Sequence, residues 1–281
     1  MGHFSNRVWA AGAWLLIAAA AAFAQAGPAR GRVEFIVLLT PVSGRPEPAR
    51  QLTIYLLRKS FREIQHDVEE KMPAPNLDAF VDALPLGKEL KAWMKQHHTV
   101  TISGPQFRKV LTPDDLFHVP EFLDAYVASN LSGLGQGFPE PKFNPDDRIH
   151  NPKKYEAAMK TYEPLLRKYL AAHPDSLEAM DTILNQSDPT PEWQVVQGHW
   201  HEDARRTALG EAQTHYLAAK TDTDLDGRGA FEASPGTYTL STLEGEALSG
   251  DLHLRWNVPI EIRPGLTTRV ELSNLNSDKK P

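Results

Sequence analysis

The sequence predicts an α+β protein, an antiparallel β-sandwich of immunoglobulin-like type interrupted by a large all-helical insertion. Two observations lead to this prediction. Short runs of β-branched, aromatic and aliphatic residues occupy 31–58 and again 220–276, whereas apolar residues recur at helical spacing within 59–219. Each strand block is too small to form a sheet of normal size by itself. Together they supply roughly seven short strands, the number found in one such sandwich.

The amino-acid composition excludes several classes of protein and of functional site. Hydrophobic residues make up 41% of the 281 residues and charged residues 23%, so a largely disordered chain is excluded. A multi-pass membrane protein is also excluded, because the one long apolar run lies at the N-terminus. A net charge of −6 gives no overall positive field, so we expect no nucleic-acid partner. The absence of cysteine excludes disulfides, thiolate metal sites and cysteine nucleophiles.

Residues 1–26 have the pattern of a cleaved signal peptide. Arg7 precedes the apolar stretch Val8–Phe23, and Ala24–Ala26 has the small-x-small form of a cleavage site. An uncleaved membrane anchor is the alternative, but the stretch falls short of the roughly 20 apolar residues that span a bilayer. We therefore expect a secreted or periplasmic protein that begins near Gly27 and has no transmembrane segment after cleavage.

The first strand block predicts a β-hairpin with a long loop. Val33–Leu39 and Leu52–Leu57 consist of strand-forming residues, and the segment 41–46 between them is rich in proline and glycine. Neither strand alternates cleanly between polar and apolar residues. Both faces of this hairpin are therefore expected to be buried.

The outer face of the predicted hairpin needs a cover. Its side chains are Ile36, Leu38, Tyr55 and Leu57. Left in water, they would form a contiguous apolar patch that favours aggregation. We expect helices of the insertion to cover this face through Phe61, Ile64 and Trp93, with a partner subunit as the alternative cover.

Capping patterns mark where helices of the insertion begin. Ser60 starts a capping-box pattern, and Thr112 and Thr190 are each followed by a proline, which is favoured in the first helical turn. Pro164 lies inside an apolar stripe and is expected to kink or split that helix. Residues 133–152 are rich in Gly, Pro, Asn and Asp, which predicts a long exposed loop.

Tight turns divide the second strand block into short segments. These turns are Asp226-Gly227, Pro235-Gly236 and Pro264-Gly265. Glycine and proline supply the backbone angles that such turns need. We expect 31–58 and 220–276 to form one discontinuous domain, with 59–219 inserted after its second strand and a disordered tail over 277–281.

The same turns carry a family resemblance. The matching segments are Thr223–Gly227 followed by Phe231, Pro235–Leu240, Pro264-Gly265, Gly31–Val33, Ser43–Pro46 and Leu52–Leu56. They resemble carboxypeptidase regulatory-like domains, which share a prealbumin-like sandwich with transthyretin-like and collagen-adhesin B-type modules. The resemblance implies a non-catalytic module of an exported protein, although the helical insertion departs from the compact family pattern. The Lys–Asn isopeptide bond of some adhesin-type relatives is not expected, because Gly31–Arg58 has no lysine.

One acidic loop is a candidate metal site. Asp222, Asp224 and Asp226, followed by Gly227, have the spacing of a calcium loop, in which oxygen ligands alternate along the chain. The closing acidic ligand is missing, since Ala233 occupies the twelfth position. The alternative is a hairpin turn in which aspartate and glycine provide backbone geometry.

A histidine-rich stretch is the densest metal-capable cluster. It spans His199–Asp203, and on a helix His199 and Asp203 would share a face, whereas two histidines with the spacing of a zinc protease are absent. An exposed helix face with Trp200 packed inward is the alternative. The adjacent His97 and His98 diverge and are expected to form a polar helix end.

We therefore expect an exported, non-catalytic protein without a cofactor, which binds a protein or glycan of the cell envelope through its helical insertion. The alternative is a metal-dependent or acid–base hydrolase with its site in the insertion, near residues 133–152 and the His199–Asp203 stretch. A purely structural envelope component is a third reading. Nucleophile-elbow, phosphate-loop and dinucleotide-binding motifs are absent from the sequence.

Overall fold

The computed structural model describes residues 29–41, 44–132, 137–249 and 252–278. The predicted signal peptide, 1–26, lies outside these residues. The chain divides into two compact units: a β unit, Met1–Met72 with Ala204–Pro281, and a helical unit, Pro73–Asp203. Within the described residues, no helix has the length and hydropathy that crossing a membrane requires.

The elements are numbered in chain order. The strands are β1 (Gly31–Leu39), β2 (Glu47–Pro48), β3 (Thr53–Leu57), β4 (Leu217–Asp222), β5 (Arg228–Ala233), β6 (Gly236–Ser241), β7 (Ala247–Ser249), β8 (Leu252–Leu254), β9 (Asn257–Ile262) and β10 (Thr267–Leu272). The helices are α1 (Phe61–Lys71), α2 (Leu77–Ala83), α3 (Lys88–Gln96), α4 (Gly104–Val110), α5 (Pro113–His118), α6 (Pro120–Ser132), α7 (Asp147–His150), α8 (Pro152–Ala172), α9 (Asp181–Leu184) and α10 (Thr190–Thr214). A 3₁₀-helix spans Pro174–Met180. The protein is thus α+β, as the sequence predicts.

The β unit contains two four-stranded sheets in its described part. In the first sheet β1 is central, pairing in parallel with β10 and antiparallel with β5 and β2. The second sheet has the order β4-β3-β6-β9 and is antiparallel throughout. The β1–β10 pair departs from the predicted antiparallel arrangement. These two strands lie at opposite ends of the chain, so no hairpin turn dictates their direction.

The predicted pairing of the first two strands is wrong. β1 turns back only into the two-residue β2, with Leu39 opposite Glu47, and β3 belongs to the second sheet. Proline limits the return strand, because Pro46 and Pro48 have no N–H to donate to a ladder. The chain then crosses to the other sheet instead of extending the hairpin.

One hydrophobic core receives side chains from both sheets. Alternate residues of β1, including Phe35 and Val37, are buried together with Ile54 and Leu56 of β3. The Phe35 ring stacks on Phe231 of β5 with ring centroids 5.4 Å apart. The apolar character that suggested a hairpin therefore arises because β1 and β3 contribute to the same core from different sheets.

Two helices cover the opposite side of β3. Leu57 is buried with Ile64 of α1 and with three alanines of α10, and Tyr55 and Phe61 pack at the edge of this cluster. The alanines, spaced by four residues on one helix face, are Ala204, Ala208 and Ala212. The predicted helical cover is thus confirmed for the β3 residues through Phe61 and Ile64.

The same prediction is wrong for Ile36 and for Trp93. Ile36 lies in the first sheet, where it lines a shallow groove with Arg228 and Arg269. Trp93 is buried in the core of the helical unit. The prediction assumed that β1 and β3 lie in one sheet and share an outer face. Because they lie in different sheets, the helices that cover β3 do not cover Ile36 of β1.

The helical unit has a core of its own. Trp93 packs edge-on against Phe107 and Phe122, with centroids 5.6 and 5.0 Å away. α8 continues through Pro164, so of the two predicted effects, a kink or a split, the split does not occur. Buried Tyr162 and Leu166 hold the helix on both sides of the proline. Of the predicted 133–152 loop, residues 133–136 lie outside the description, and α7 forms near its end.

If α1 is an integral part of the β unit, shortening its buried side chain should weaken that unit. Ile64 is fully buried, so Ile64→Ala should lower the free energy of unfolding by about 2–5 kcal/mol. Leu266→Ala is the control, because Leu266 is 57% exposed and should change stability by less than about 0.5 kcal/mol. Urea unfolding measures both, and equal small effects would contradict the packing described for α1.

Candidate functional site

A charged cleft of about 440 Å³ lies within the β unit. Its described lining comes from α1, from α10, from residues between the end of β6 and the start of β9, and from Asp278 near the C-terminus. The residues are Phe61, Arg62, Gln65, Arg205, Ser241, Leu243, Glu244, Glu246, His253, Arg255, Trp256, Asn257 and Asp278. A concave surface with convergent polar groups is the usual form of a small-ligand site.

The hairpin formed by β7 and β8 brings an acid, a histidine and an arginine together. One Glu246 oxygen is 2.9 Å from His253 Nδ1, and the other accepts a hydrogen bond from Arg255. The hydrogen bonds from His253 and then Arg255 lower the pKa of Glu246 below its ordinary value of 4.5. Glu246 is therefore a carboxylate at neutral pH.

Two further ion pairs complete the rim. Arg62 of α1 donates to Asp278 at 2.6 Å, and Arg205 of α10 lies 3.4 Å from Glu244. The backbone N–H of Asp278 donates to the Arg255 carbonyl at 2.7 Å. Asp278, part of the predicted disordered tail, is thereby fixed at the cleft, whereas residues 279–281 lie outside the description. Each lining arginine is paired with one carboxylate.

The floor of the cleft is the buried Trp256 side chain, and hydrogen bonds to the backbone hold the surrounding residues in place. Trp256 is 1% exposed, and its indole N–H donates to the Ser273 carbonyl at 3.0 Å. Asn257 Oδ1 accepts from the Phe61 backbone N–H, which ties the first residue of α1 to the start of β9. The buried Ser241 hydroxyl accepts from the Leu243 amide at 3.0 Å. Backbone bonds thus fix the walls independently of any ligand.

One polar atom of the cleft residues is unsatisfied. Arg255 Nε is buried, and the described residues offer it no hydrogen-bond acceptor. A buried donor without a partner costs about 1–3 kcal/mol.

The predicted calcium-loop residues form a turn between β4 and β5. Asp222 accepts from the Thr53 hydroxyl at 2.6 Å, and Asp224 accepts from the backbone N–H groups of Asp226 and Arg228. Gly227 has a φ of +72°, and a Cβ there would lie 2.7 Å from the Val37 carbonyl oxygen. These contacts match the hairpin-turn alternative. In the part of the chain that the structure describes, no three His, Asp or Glu side chains group closely enough to hold a metal ion.

The histidines singled out in the sequence lie on α10 and at the C-terminal end of α3. His199 lies exposed on α10, beside the half-buried Trp200. His97 caps the C-terminus of α3, where its ring stacks on Trp93 at 4.5 Å, and His98 follows with a φ of +49°. The predicted polar helix end is confirmed for this pair.

Sequence reasoning assigned none of the cleft residues to a site. The polar side chains of the cleft come from four segments that are far apart in the sequence, and no single sequence motif contains them. One local signal was available: His253 and Arg255 alternate with apolar neighbours, which places them on the same face of a strand.

Comparisons with protein-family models, curated proteins and solved structures find no match to this chain.

The hydrogen bonds to Glu246 can be checked by titration. A ¹³C NMR titration should give Glu246 a pKa below 4.5, because both partners donate to its charged form. His253→Ala and Arg255→Gln should each raise that pKa. Stabilisation by this network should therefore be complete at neutral pH and be lost as the pH falls through the lowered pKa. A Glu246 pKa at or above 4.5 in the unsubstituted protein would contradict the geometry.

Proposed function

We propose that this chain is an exported, non-catalytic protein that binds a protein or glycan of the cell envelope, with the charged cleft as its binding surface. The predicted insertion, 59–219, contributes one wall through Phe61, Arg62, Gln65 and Arg205. We further propose that the β unit is a prealbumin-like sandwich of the carboxypeptidase regulatory-like type. The core shared by its two four-stranded sheets supports this assignment.

The cleft itself is the observation that carries the proposal. Its polar side chains are already oriented by ion pairs and by bonds to the backbone, so a ligand would not have to order them. Pre-ordered side chains reduce the entropy lost on binding. The contacts that orient the rim side chains and the concave shape of the cleft together support a role in recognition.

The cleft chemistry favours binding over hydrolysis. A general acid in sugar hydrolysis needs a raised pKa, but hydrogen bonds lower the pKa of Glu246. The Ser241 hydroxyl is buried and engaged by a backbone amide, so it is poorly placed as a nucleophile. The hydrolase alternative in the insertion gains no support from a ligand cluster among the described residues.

Retention on an envelope fraction tests the proposal. The purified protein, applied to immobilised envelope from the source cells, should be retained. The variant Arg62→Gln/Arg205→Gln should be retained at least tenfold less, because it removes two cleft donors. The matched control Arg263→Gln/Arg269→Gln removes two exposed arginines of the same unit that lie outside the cleft.

The control variant should be retained like the unsubstituted protein. Absence of retention, or equal retention of all three proteins, would refute the cleft as the binding surface. Protease treatment of the envelope destroys a protein partner, and periodate destroys glycans with vicinal hydroxyls. The two treatments therefore separate the two classes of partner.

A further inference from the structure

Each arginine that lines the charged cleft lies next to a carboxylate of opposite charge. Arg62 faces Asp278, Arg205 faces Glu244, and Arg255 shares Glu246 with His253. Every side chain of these arginine–carboxylate pairs is 26% to 67% exposed, so the pairs remain open to a ligand. The lining thus offers donors and acceptors side by side without a net charge from these pairs.

This balance selects against charged ligands. An anion would have to compete with a carboxylate for each guanidinium, and a cation would have to compete with a guanidinium for each carboxylate. A hydroxyl group donates and accepts at once, so it can join both members of a pair without separating them. A ligand with several hydroxyls at adjacent positions could form hydrogen bonds to both the arginines and the carboxylates of the rim.

The amide side chains of the cleft add the same dual character. Gln65 carries both a carbonyl and an NH₂ group, and Asn257 keeps its NH₂ group while its oxygen accepts from Phe61. The half-buried Phe61 ring offers an apolar edge for the C–H groups of a sugar.

A protein partner fits this lining less well. Protein interfaces are depleted of charged residues at their centre and anchor aromatic side chains in desolvated pockets. Here the rim is charged, and the largest apolar lining residue, Trp256, is almost fully buried in the core beneath it. The Trp256 ring is therefore not exposed in the cleft to contact an anchoring side chain of a partner.

We propose that the charged cleft takes a neutral, hydroxyl-rich glycan segment of one or two sugar units. The volume of about 440 Å³ lies in the lower part of the range of ligand pockets. This inference rests on the proposed binding function and specifies the class of its ligand.

Disaccharides that differ in charge test the inference on the full mature chain. The neutral probes are maltose, cellobiose and N,N′-diacetylchitobiose, the anionic probe is digalacturonic acid, and the cationic probe is the glucosamine dimer. Calorimetry and ligand-observed NMR are run at one mildly acidic pH, at which the sugar amines are protonated. At least one neutral probe should bind, with a Kd at least tenfold lower than that of either charged probe.

Variants locate the binding. Arg205→Gln and Gln65→Ala alter polar side chains of the rim and should raise the Kd of the bound neutral probe at least threefold. Arg263→Gln, at an exposed pair outside the cleft, should leave it unchanged. Far-UV circular dichroism and thermal midpoints confirm that each variant folds. Failure of every neutral probe at about 10 mM (a standard free energy weaker than roughly −3 kcal/mol), tighter binding of a charged probe, or indifference to both cleft variants would overturn the inference.

The envelope experiment separates this failure from failure of the proposed function. If protease abolishes retention and periodate does not, the protein still binds an envelope component, but the glycan inference is wrong. If the envelope does not retain the protein at all, the proposed function fails, and the inference fails with it.

Discussion

The second sheet of the β unit has an apolar outer face, and the rest of that unit depends on how it is covered. Leu57 would be exposed to water if only the strands were present, but α1 and residues 204–214 of α10 bury it completely. Fully burying a side chain of this size contributes roughly 1.5–3 kcal/mol. α1 and the part of α10 from Ala204 onward are therefore structural parts of the β unit.

The cleft is a consequence of this cover. α1 begins at Phe61, whose N–H is held by Asn257 of β9, so Arg62 and Gln65 are set at the strand edge. On α10, the alanine face packs inward, and the neighbouring Arg205 reaches Glu244. The same contacts that hide apolar surface thus bring polar side chains from helices and strands to one place, which supports the binding proposal.

Local signals in the sequence predicted local structure well. The capping box at Ser60 is present, with both hydrogen bonds, and Thr112 caps α5 through Asp115. Ile64 and Val68, four residues apart on α1, are both buried and lie on one face of the helix. Each of these features depends on residues only three or four positions apart, so a short stretch of sequence is enough to predict it.

Which strands pair with one another depends on residues far apart in the sequence, and this was predicted less well. β1 could pair with any strand of similar apolar character, and periodicity does not distinguish β3 from β5 or β10. The helix through Pro164 continues because tertiary packing outweighs the lost hydrogen bond. The cleft was missed for the same reason: Arg62, Arg205 and Arg255 become neighbours only once the helices pack on the second sheet.

Hydrogen exchange of the intact chain tests the central claim, that α1 and residues 204–214 fold as part of the β unit. Amides of one cooperative unit open together and share a similar free energy of opening. Interior amides of α1 and of 204–214 should therefore exchange in the same slow class as those of β3 and β6. Exchange of both helical segments in a distinctly faster class, while β3 and β6 stay protected, would contradict the account.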